Sequence, residues 1–379
     1  DIKCRNNSKF YICLLQICDD CRFFMRFGAS FQASTSQKLF FRSRPMIRIT
    51  HFMRRPRSNV FSIERLYEDV RSAMTQDCRV TVWTCRHPSS GLWPRLKDAW
   101  AARRAQGDVN HVTGDTHYLT FLLDRKRTVL TVHDLVLLGR LKGARRFLIW
   151  LLWYWLPVRR SRAVVTISGT TRSALLGSVR CDPAKIRVIH NPVSDEFGPA
   201  PRPFDAVRPR ILQMGTKPNK NIERVAEALE GISCRLAIVG QLSDAQTAAL
   251  RRHGIDWESH VGLSREALVQ QYVEADMLVF ASTYEGFGLP IVEAQAVGRP
   301  VVTSALSSMP EVAGDAACFV DPFDAASIRA GVLRVIENES YRTQLVESGF
   351  RNVERFRTSA VAEQYAALYR EVARKAGTR

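Results

Sequence analysis

Residues 284–293 read Tyr284-Glu285-Gly286-Phe287-Gly288-Leu289-Pro290-Ile291-Val292-Glu293, two carboxylates eight positions apart across a glycine-rich loop that opens a helix. The preceding run, Ala275-Asp276-Met277-Leu278-Val279-Phe280-Ala281, is apolar and of strand length, and the apolar positions after Pro290 suit a buried helix. Glu285 is therefore expected at the carboxyl end of a strand and Glu293 about one turn inside the helix. Ligands of open α/β sheets bind at that edge, where the unpaired N–H groups of a helix start favour an anion. Gly286 and Gly288 let backbone approach a phosphate closely, and Pro290 in the first turn gives up a donor the helix does not use. The pattern suits a sugar diphosphate: a loop carboxylate for sugar hydroxyls, amides for phosphates and a helical carboxylate for ribose.

Further along, Gly298-Arg299-Pro300-Val301-Val302-Thr303-Ser304, Met309-Pro310-Glu311-Val312-Ala313-Gly314-Asp315-Ala316-Ala317 and Val320-Asp321-Pro322 follow in order. The ordered string resembles the retaining nucleotide-sugar glycosyltransferases of family four, and its length argues against a plain strand–turn–helix with two solvated glutamates. The resemblance implies an α/β GT-B fold, two doubly wound Rossmann-like domains facing across a cleft. It also implies transfer of a hexose, with mannose preferred, from a nucleoside diphosphate sugar to a glycan or lipid-linked acceptor in surface polysaccharide biosynthesis. No cofactor and no metal are implied. Glu285 would bind donor-sugar hydroxyls rather than act as a covalent nucleophile, and Glu293 the ribose. Gly286, Phe287, Gly288 and Leu289 would face the diphosphate.

Outward from this segment, strand and helix alternate from Met46 onward. Strands are expected at 47–52, 79–84, 109–112, 128–132, 163–168 and 186–189, then at 210–214, 235–240, 277–281, 300–303 and 318–320, with helices such as 63–74 and 145–156 between them. This gives an acceptor-side domain over 46–198, a Pro-rich linker over 199–208 containing Pro199, Pro201 and Pro203, and a donor domain over 209–358. A last helix, within 359–379, carries Val361, Tyr365, Leu368, Tyr369 and Val372 on one face and is expected to pack back on the first domain. Residues 1–45, dense in Cys and Phe, read as an atypical extension outside the fold, with Met46 as the expected natural start. Asp19, Asp20 and the cysteines interrupt any signal-peptide core.

Gly215-Thr216-Lys217-Pro218-Asn219-Lys220-Asn221 joins the first strand of the second half to a helix over 222–229. By the resemblance, Lys220 supplies a cation to the diphosphate, with Gly215 and Lys217 beside it; such an ammonium stabilises charge growing on a leaving group. The family's frequent arginine after the glycine is Thr216 here, so Lys217 stands as its alternative. Thr131-Val132-His133-Asp134-Leu135 resembles the family's His-Asp motif, which brings His133 to the reacting sugar, while Asp134 suits a helix cap. In His111-Val112-Thr113-Gly114-Asp115-Thr116-His117-Tyr118, Asp115 and His117 are candidates for sugar or acceptor contacts, with loop packing the rival. A His/Asp metal site there is the weaker alternative. Asn191 matches a hinge-entry motif, followed by Pro192 where most relatives have Gly. The usual Gly-rich loop after the first strand is replaced by Arg54-Arg55-Pro56-Arg57-Ser58-Asn59, set to meet an acceptor phosphate.

The 379 residues, 46% hydrophobic, accommodate two domains with full cores. Of the net charge of +18, residues 46–203 hold +15 and residues 204–379 hold −2. Such a field suits an anionic membrane or nucleic acid, and no nucleic-acid motif accompanies it. The run Phe147-Leu148-Ile149-Trp150-Leu151-Leu152-Trp153-Tyr154-Trp155-Leu156-Pro157-Val158 is too short for the ~20 residues of a spanning helix. It is flanked by Arg140, Lys142, Arg145, Arg146, Arg159, Arg160 and Arg162, as an interfacial helix would be. A cytoplasmic protein peripheral to the inner membrane face is expected, with plain solvated charge the rival. A glycoside hydrolase, a GT-B sugar-nucleotide epimerase and a basic nucleic-acid-binding protein are the competing functions.

Overall fold

The computed structural model describes residues 46–56 and 62–377; expectations about residues 1–45, Arg57 and Asn59 fall outside them. Two six-stranded parallel sheets follow one another along the chain. The first uses β1 (Ile47–Met53), β2 (Cys78–Thr84), β3 (Val109–Val112), β4 (Thr128–Val132), β5 (Ala163–Thr166) and β6 (Ile186–Val188), in the order β2-β1-β3-β4-β5-β6. The second uses β7 (Arg210–Met214), β8 (Arg235–Val239), β9 (Trp257–His260), β10 (Met277–Phe280), β11 (Val301–Ser304) and β12 (Cys318–Val320), in the order β12-β11-β10-β7-β8-β9. Central strands β3, β4, β5, β10 and β11 are buried at every position, as expected for parallel strands covered on both faces. Each sheet has an apolar cluster on either side, giving the two doubly wound α/β domains that the sequence resemblance implies.

Sheet order decides where a ligand goes. In the second sheet β7 is central, with β8 on one flank and β10 on the other, so the chain reverses direction of travel between β7 and β10. A crevice opens outside the carboxyl ends of strands at such a switch point. The Met277↔Ile211 and Leu278↔Leu212 register sets these two ends level, so the loops starting at Gly215 and Ala281 face each other.

Two elements differ from expectation. β9 lies outside the expected strands, because Trp257-Glu258-Ser259-His260 is a polar edge strand without apolar alternation. The helix expected over 145–156 is a longer rod, α-helical over Gly143–Ile149, π-helical over Trp150–Trp155 and α-helical again over Leu156–Arg160. Its tryptophans are partly buried and have partners: the Trp150 indole donates to the Ser178 carbonyl at 2.7 Å, Trp153 lies under Arg95, and Trp155 lies under Arg159. Phe197, before the Pro-rich stretch, packs in the second domain's core with Tyr272.

The chain crosses between domains twice, side by side. Val193 N–H donates to the Phe356 carbonyl at 2.8 Å, and Thr358 Oγ1 to the Val193 carbonyl at 3.1 Å. After this the helix Thr358–Gly377 buries Val361, Tyr365, Leu368, Tyr369 and Val372 against the first sheet. Its hydroxyls are satisfied there: Tyr369 OH meets His51 Nε2 at 3.0 Å and His111 Nδ1 at 2.7 Å, and Tyr365 OH meets Tyr67 OH at 3.2 Å.

Candidate active site

Gly215 leaves β7 at φ +82, and a side chain on it would stand 3.0 Å from Lys220 Cε. The loop then makes one turn of 3-10 helix, Pro218–Lys220, closed by the Lys220 amide on the Lys217 carbonyl at 2.7 Å. Asn221 follows in the left-handed region, φ 62, its side-chain Nδ2 donating to the carbonyls of Ala281 (3.1 Å) and Pro322 (2.7 Å). Pinned in this way, Lys220 reaches across the switch point. Its Nζ donates to Glu285 Oε1 at 2.7 Å and stands 4.3 Å from the Phe280 ring centroid. Asn219 Nδ2 donates to the same oxygen at 3.2 Å and to the Tyr284 carbonyl at 2.9 Å. The Lys220 and Glu285 side chains are 14% and 15% exposed, so their pairing is partly desolvated while both still reach the cleft. Lys217 is exposed.

The loop carrying Glu285 is held from below by two serines. Ser307 Oγ donates to the Glu285 carbonyl at 2.6 Å, and Ser308 Oγ to the carbonyls of Glu285 (3.0 Å) and Phe287 (2.7 Å). Gly288, at φ +109, then turns the chain into the helix Leu289–Val297; Pro290 carries no N–H, the Ile291 amide closes on the Gly288 carbonyl at 3.0 Å, and the Gly288 and Leu289 amides precede the first helical bond. Phe287 is buried beside His190 and Phe356, so it supports the loop from within. Glu293 Oε2 accepts from Tyr272 OH at 2.5 Å. Burial raises the Glu293 carboxyl above its ordinary range, against the lowering effect of that hydroxyl. Leu289 and Glu293 line a cavity of about 300 Å³ together with Arg65, Asp69 and Arg265.

From the first domain, the loop after β4 brings His133 to the cleft. Its Nε2–H donates to the Thr113 carbonyl at 2.8 Å, which leaves Nδ1 as an acceptor. Burial lowers the His133 pKa, so the ring is neutral near pH 7. Gly286 touches this loop: a Cβ there would stand 2.8 Å from the His133 carbonyl oxygen. Ser168 Oγ donates to the Gly286 carbonyl at 2.8 Å, and Thr171 Oγ1 to it at 3.3 Å. Glu311 of the second domain accepts the Gly169 amide on both oxygens at 2.8 Å and meets His190 Nε2 at 2.8 Å. Burial pushes the Glu311 carboxyl up, but His190 and the Gly169 amide outweigh it and hold it below its ordinary range.

Asp115 lies at the end of β3 and pairs with Arg54 at 3.8 Å, while Arg54 is also gripped by Glu64 at 2.7 and 3.2 Å. Arg54 is thus a structural cation rather than one set free for an acceptor phosphate. His117 is turned into the core: it is buried, its Nδ1 meets the Trp153 carbonyl at 2.5 Å, and its ring packs on Trp153 and Tyr154. Loop packing replaces the expected sugar contact there. Asp134 accepts the Val136 amide at 3.0 Å, starting the short helix Val136–Arg140. His111 is occupied by Tyr369 and by Thr131 Oγ1 at 2.8 Å. Among the described residues, no group of three or more His, Cys, Asp or Glu side chains gathers as a metal site. Asn219, Ser307, Ser308 and Glu311 carry much of this geometry, and their only signal in the sequence is their place in the motif loops.

A family model described as glycosyl transferases group 1 matches residues 202–352, and one described as glycosyltransferase family 4 matches residues 53–197. O-antigen chain mannosyltransferase B of Escherichia coli is 40% identical over 101 residues, 26% of either chain. The chain thus matches about a quarter of that relative's length. The MMP alpha-(1->4)-mannosyltransferase of Mycolicibacterium hassiacum is 28% identical over 332 residues, 79% of this chain and 80% of that protein. Among solved structures, Anabaena Alr3699/HepE in complex with UDP and glucose superposes with a TM-score of 0.68 at 15% identity, covering 86% of this chain and all of that one, a likeness of fold.

Proposed function

The chain belongs to glycosyltransferase family four, and from that premise we propose that it moves a hexose, preferentially mannose, from a nucleoside diphosphate sugar to a glycan or lipid-linked acceptor, with retention at the anomeric carbon. The reading includes surface polysaccharide biosynthesis at the inner face of the cytoplasmic membrane. The mannosyltransferase relatives support the sugar. The observation that carries the chemistry is the Lys220–Glu285 pair at the β7/β10 switch point, directly before the open helix start at Leu289.

In this reading the diphosphate lies against the Gly288 and Leu289 amides and takes over the Lys220 ammonium, which frees the Glu285 carboxylate for hydroxyls of the transferred sugar. Negative charge grows on the departing diphosphate oxygen, so a fixed cation there binds the transition state more tightly than the ground state. Glu293, at the cavity wall, accepts the ribose hydroxyls. His133 presents Nδ1 as an acceptor to a donor-sugar hydroxyl. Departure and attack occur on the same face of the sugar, and the diphosphate helps take the acceptor's proton. A hydrolase would need two carboxylates flanking a glycosidic bond, whereas Glu285 is shared with a lysine that suits a phosphate. Saturation-transfer NMR against a panel of nucleoside diphosphates and their sugars tests the reading. Transfer to GDP and GDP-mannose is expected; transfer to free glycans without any nucleotide would overturn it in favour of a hydrolase.

A further inference from the structure

The helix Leu92–Ala102 is amphipathic with its faces reversed. Inward it turns Asp98, Ala99 and Ala102; outward it turns Leu92, Trp93, Leu96 and Trp100, which are 67%, 73%, 45% and 55% exposed. At 100° per residue these four side chains fall within about one third of the helix circumference. The inward polar group is fully used: Asp98 accepts the amides of Arg86 (3.3 Å) and His87 (3.2 Å) and pairs with His87 Nδ1 at 2.8 Å. Two tryptophans and two leucines left in water on one stripe are the opposite of what burial favours in a finished surface, and mark a place where something else docks.

Charge selects the occupant. Asp98 is the helix's lone acid and it is buried, while Lys97, Arg103 and Arg104 are exposed. The Arg104 guanidinium lies over the Trp100 ring at 4.3 Å, one residue offering an apolar ring and the other a cation at the same spot. The rod 143–160 is linked to this helix by Arg95 stacked 4.8 Å over Trp153, and it also exposes Phe147, Leu148 and Leu152 among Arg145 and Arg146. No described helix is long and apolar enough to cross a membrane. Eleven residues lying flat, apolar outward with a basic rim, have the form of an interfacial element.

We infer that the Leu92–Ala102 helix docks the first domain on an anionic lipid bilayer, with Leu92, Trp93, Leu96 and Trp100 in the headgroup boundary and Lys97, Arg103 and Arg104 against lipid phosphates. The inference deepens the reading of a lipid-linked acceptor, since it names the surface from which such an acceptor is met. It moves the docking element from the tryptophans of the rod, which are engaged within the protein, to a helix whose tryptophans are not buried.

The test is co-sedimentation of the whole protein with phosphatidylglycerol vesicles and with phosphatidylcholine vesicles, at low and high salt. Wild type is expected to bind the anionic vesicles and to be released by salt. Replacing Leu92, Trp93, Leu96 and Trp100 together by Ser lowers the partition coefficient at least about tenfold, because several apolar side chains lose their lipid environment. Changing Lys97, Arg103 and Arg104 to Glu removes the preference for anionic vesicles. Nucleotide-sugar affinity, measured on the same variants without lipid, stays at the wild-type value and shows that they fold; its absence in wild type would count against the proposed function and not against the docking helix. Unchanged vesicle binding by the Ser variant, no binding by wild type, or a lipid-free dimer dissolved by that same variant would overturn the inference.

Discussion

Lys220 and Lys217 sit three residues apart in one loop, yet their surroundings differ. Lys220 is fixed against Glu285 and Asn219 shares its oxygen partner, whereas Lys217 is exposed. Lys220→Ala is expected to lower kcat as well as affinity, by about 2–4 kcal/mol in transition-state stabilisation, and Lys217→Ala to cost far less. Steady-state kinetics on the two variants checks this, and a reversed ranking would make Lys217 the phosphate ligand. The pH dependence of donor affinity belongs to Glu293. Its carboxyl is raised by burial, and the deprotonated form is the one that accepts ribose hydroxyls. Affinity should therefore be full above its raised pKa and fall as pH drops through it, at a higher pH than the ~4.3 of an ordinary glutamate. Calorimetric titration across pH should show this fall in wild type and a flat profile in Glu293→Gln. Motif spacing made these residues legible in the sequence. It could not show that Lys220 and Glu285 touch, because the pairing depends on Asn221 in the left-handed region and joins residues 65 apart in the chain.

At the scale of elements, the loop 285–288 serves two domains at once. Its underside hangs on Ser307 and Ser308, and Gly286 lies flat against the His133 carbonyl. Gly286→Ala places a Cβ 2.8 Å from a backbone oxygen that has no side chain to swing aside, so the loop and the His133 loop must part. Overpacking of this kind costs about 1–3 kcal/mol. It is expected to appear as a joint loss in kcat and rise in KM with the fold retained, measurable by transfer kinetics beside a melting curve. The long periodic helices and a strand such as β10 were readable from the sequence because burial on both faces leaves an unbroken apolar run, here Met277-Leu278-Val279-Phe280. The edge strand β9 was not, since three of its four residues are polar, and neither was the π-helical stretch of the rod, whose Trp150, Trp153 and Trp155 give the same apolar pattern as an α-helix. The reversed helix Leu92–Ala102 has the apolar count of a core helix, so composition alone hides which way it faces.

For the whole molecule, the contacts that join the domains around the cleft centre on Glu311, Ser168 and the paired crossings at Val193 and Phe356. Glu311 caps the Gly169–Ser178 helix from the other domain. Its carboxyl is depressed in this arrangement, so its contribution is complete above the ordinary glutamate range and is lost as pH falls through the depressed value. Glu311→Gln is expected to weaken this closure by about 1 kcal/mol, the carboxylate being partly exposed. Small-angle X-ray scattering without donor should then give a larger radius of gyration than wild type; an unchanged radius would mean the crossings alone hold the domains. The measurement that bears most directly on the donor site compares Glu285→Ala with Glu293→Ala, recording nucleotide-sugar dissociation constants and single-turnover transfer rates in parallel. A ribose contact is equal in ground and transition states, while contacts to the reacting sugar need not be. Glu293→Ala should therefore lose chiefly affinity, and Glu285→Ala chiefly transfer rate. Equal and negligible effects of both substitutions would contradict the assignment of this switch point as the donor site.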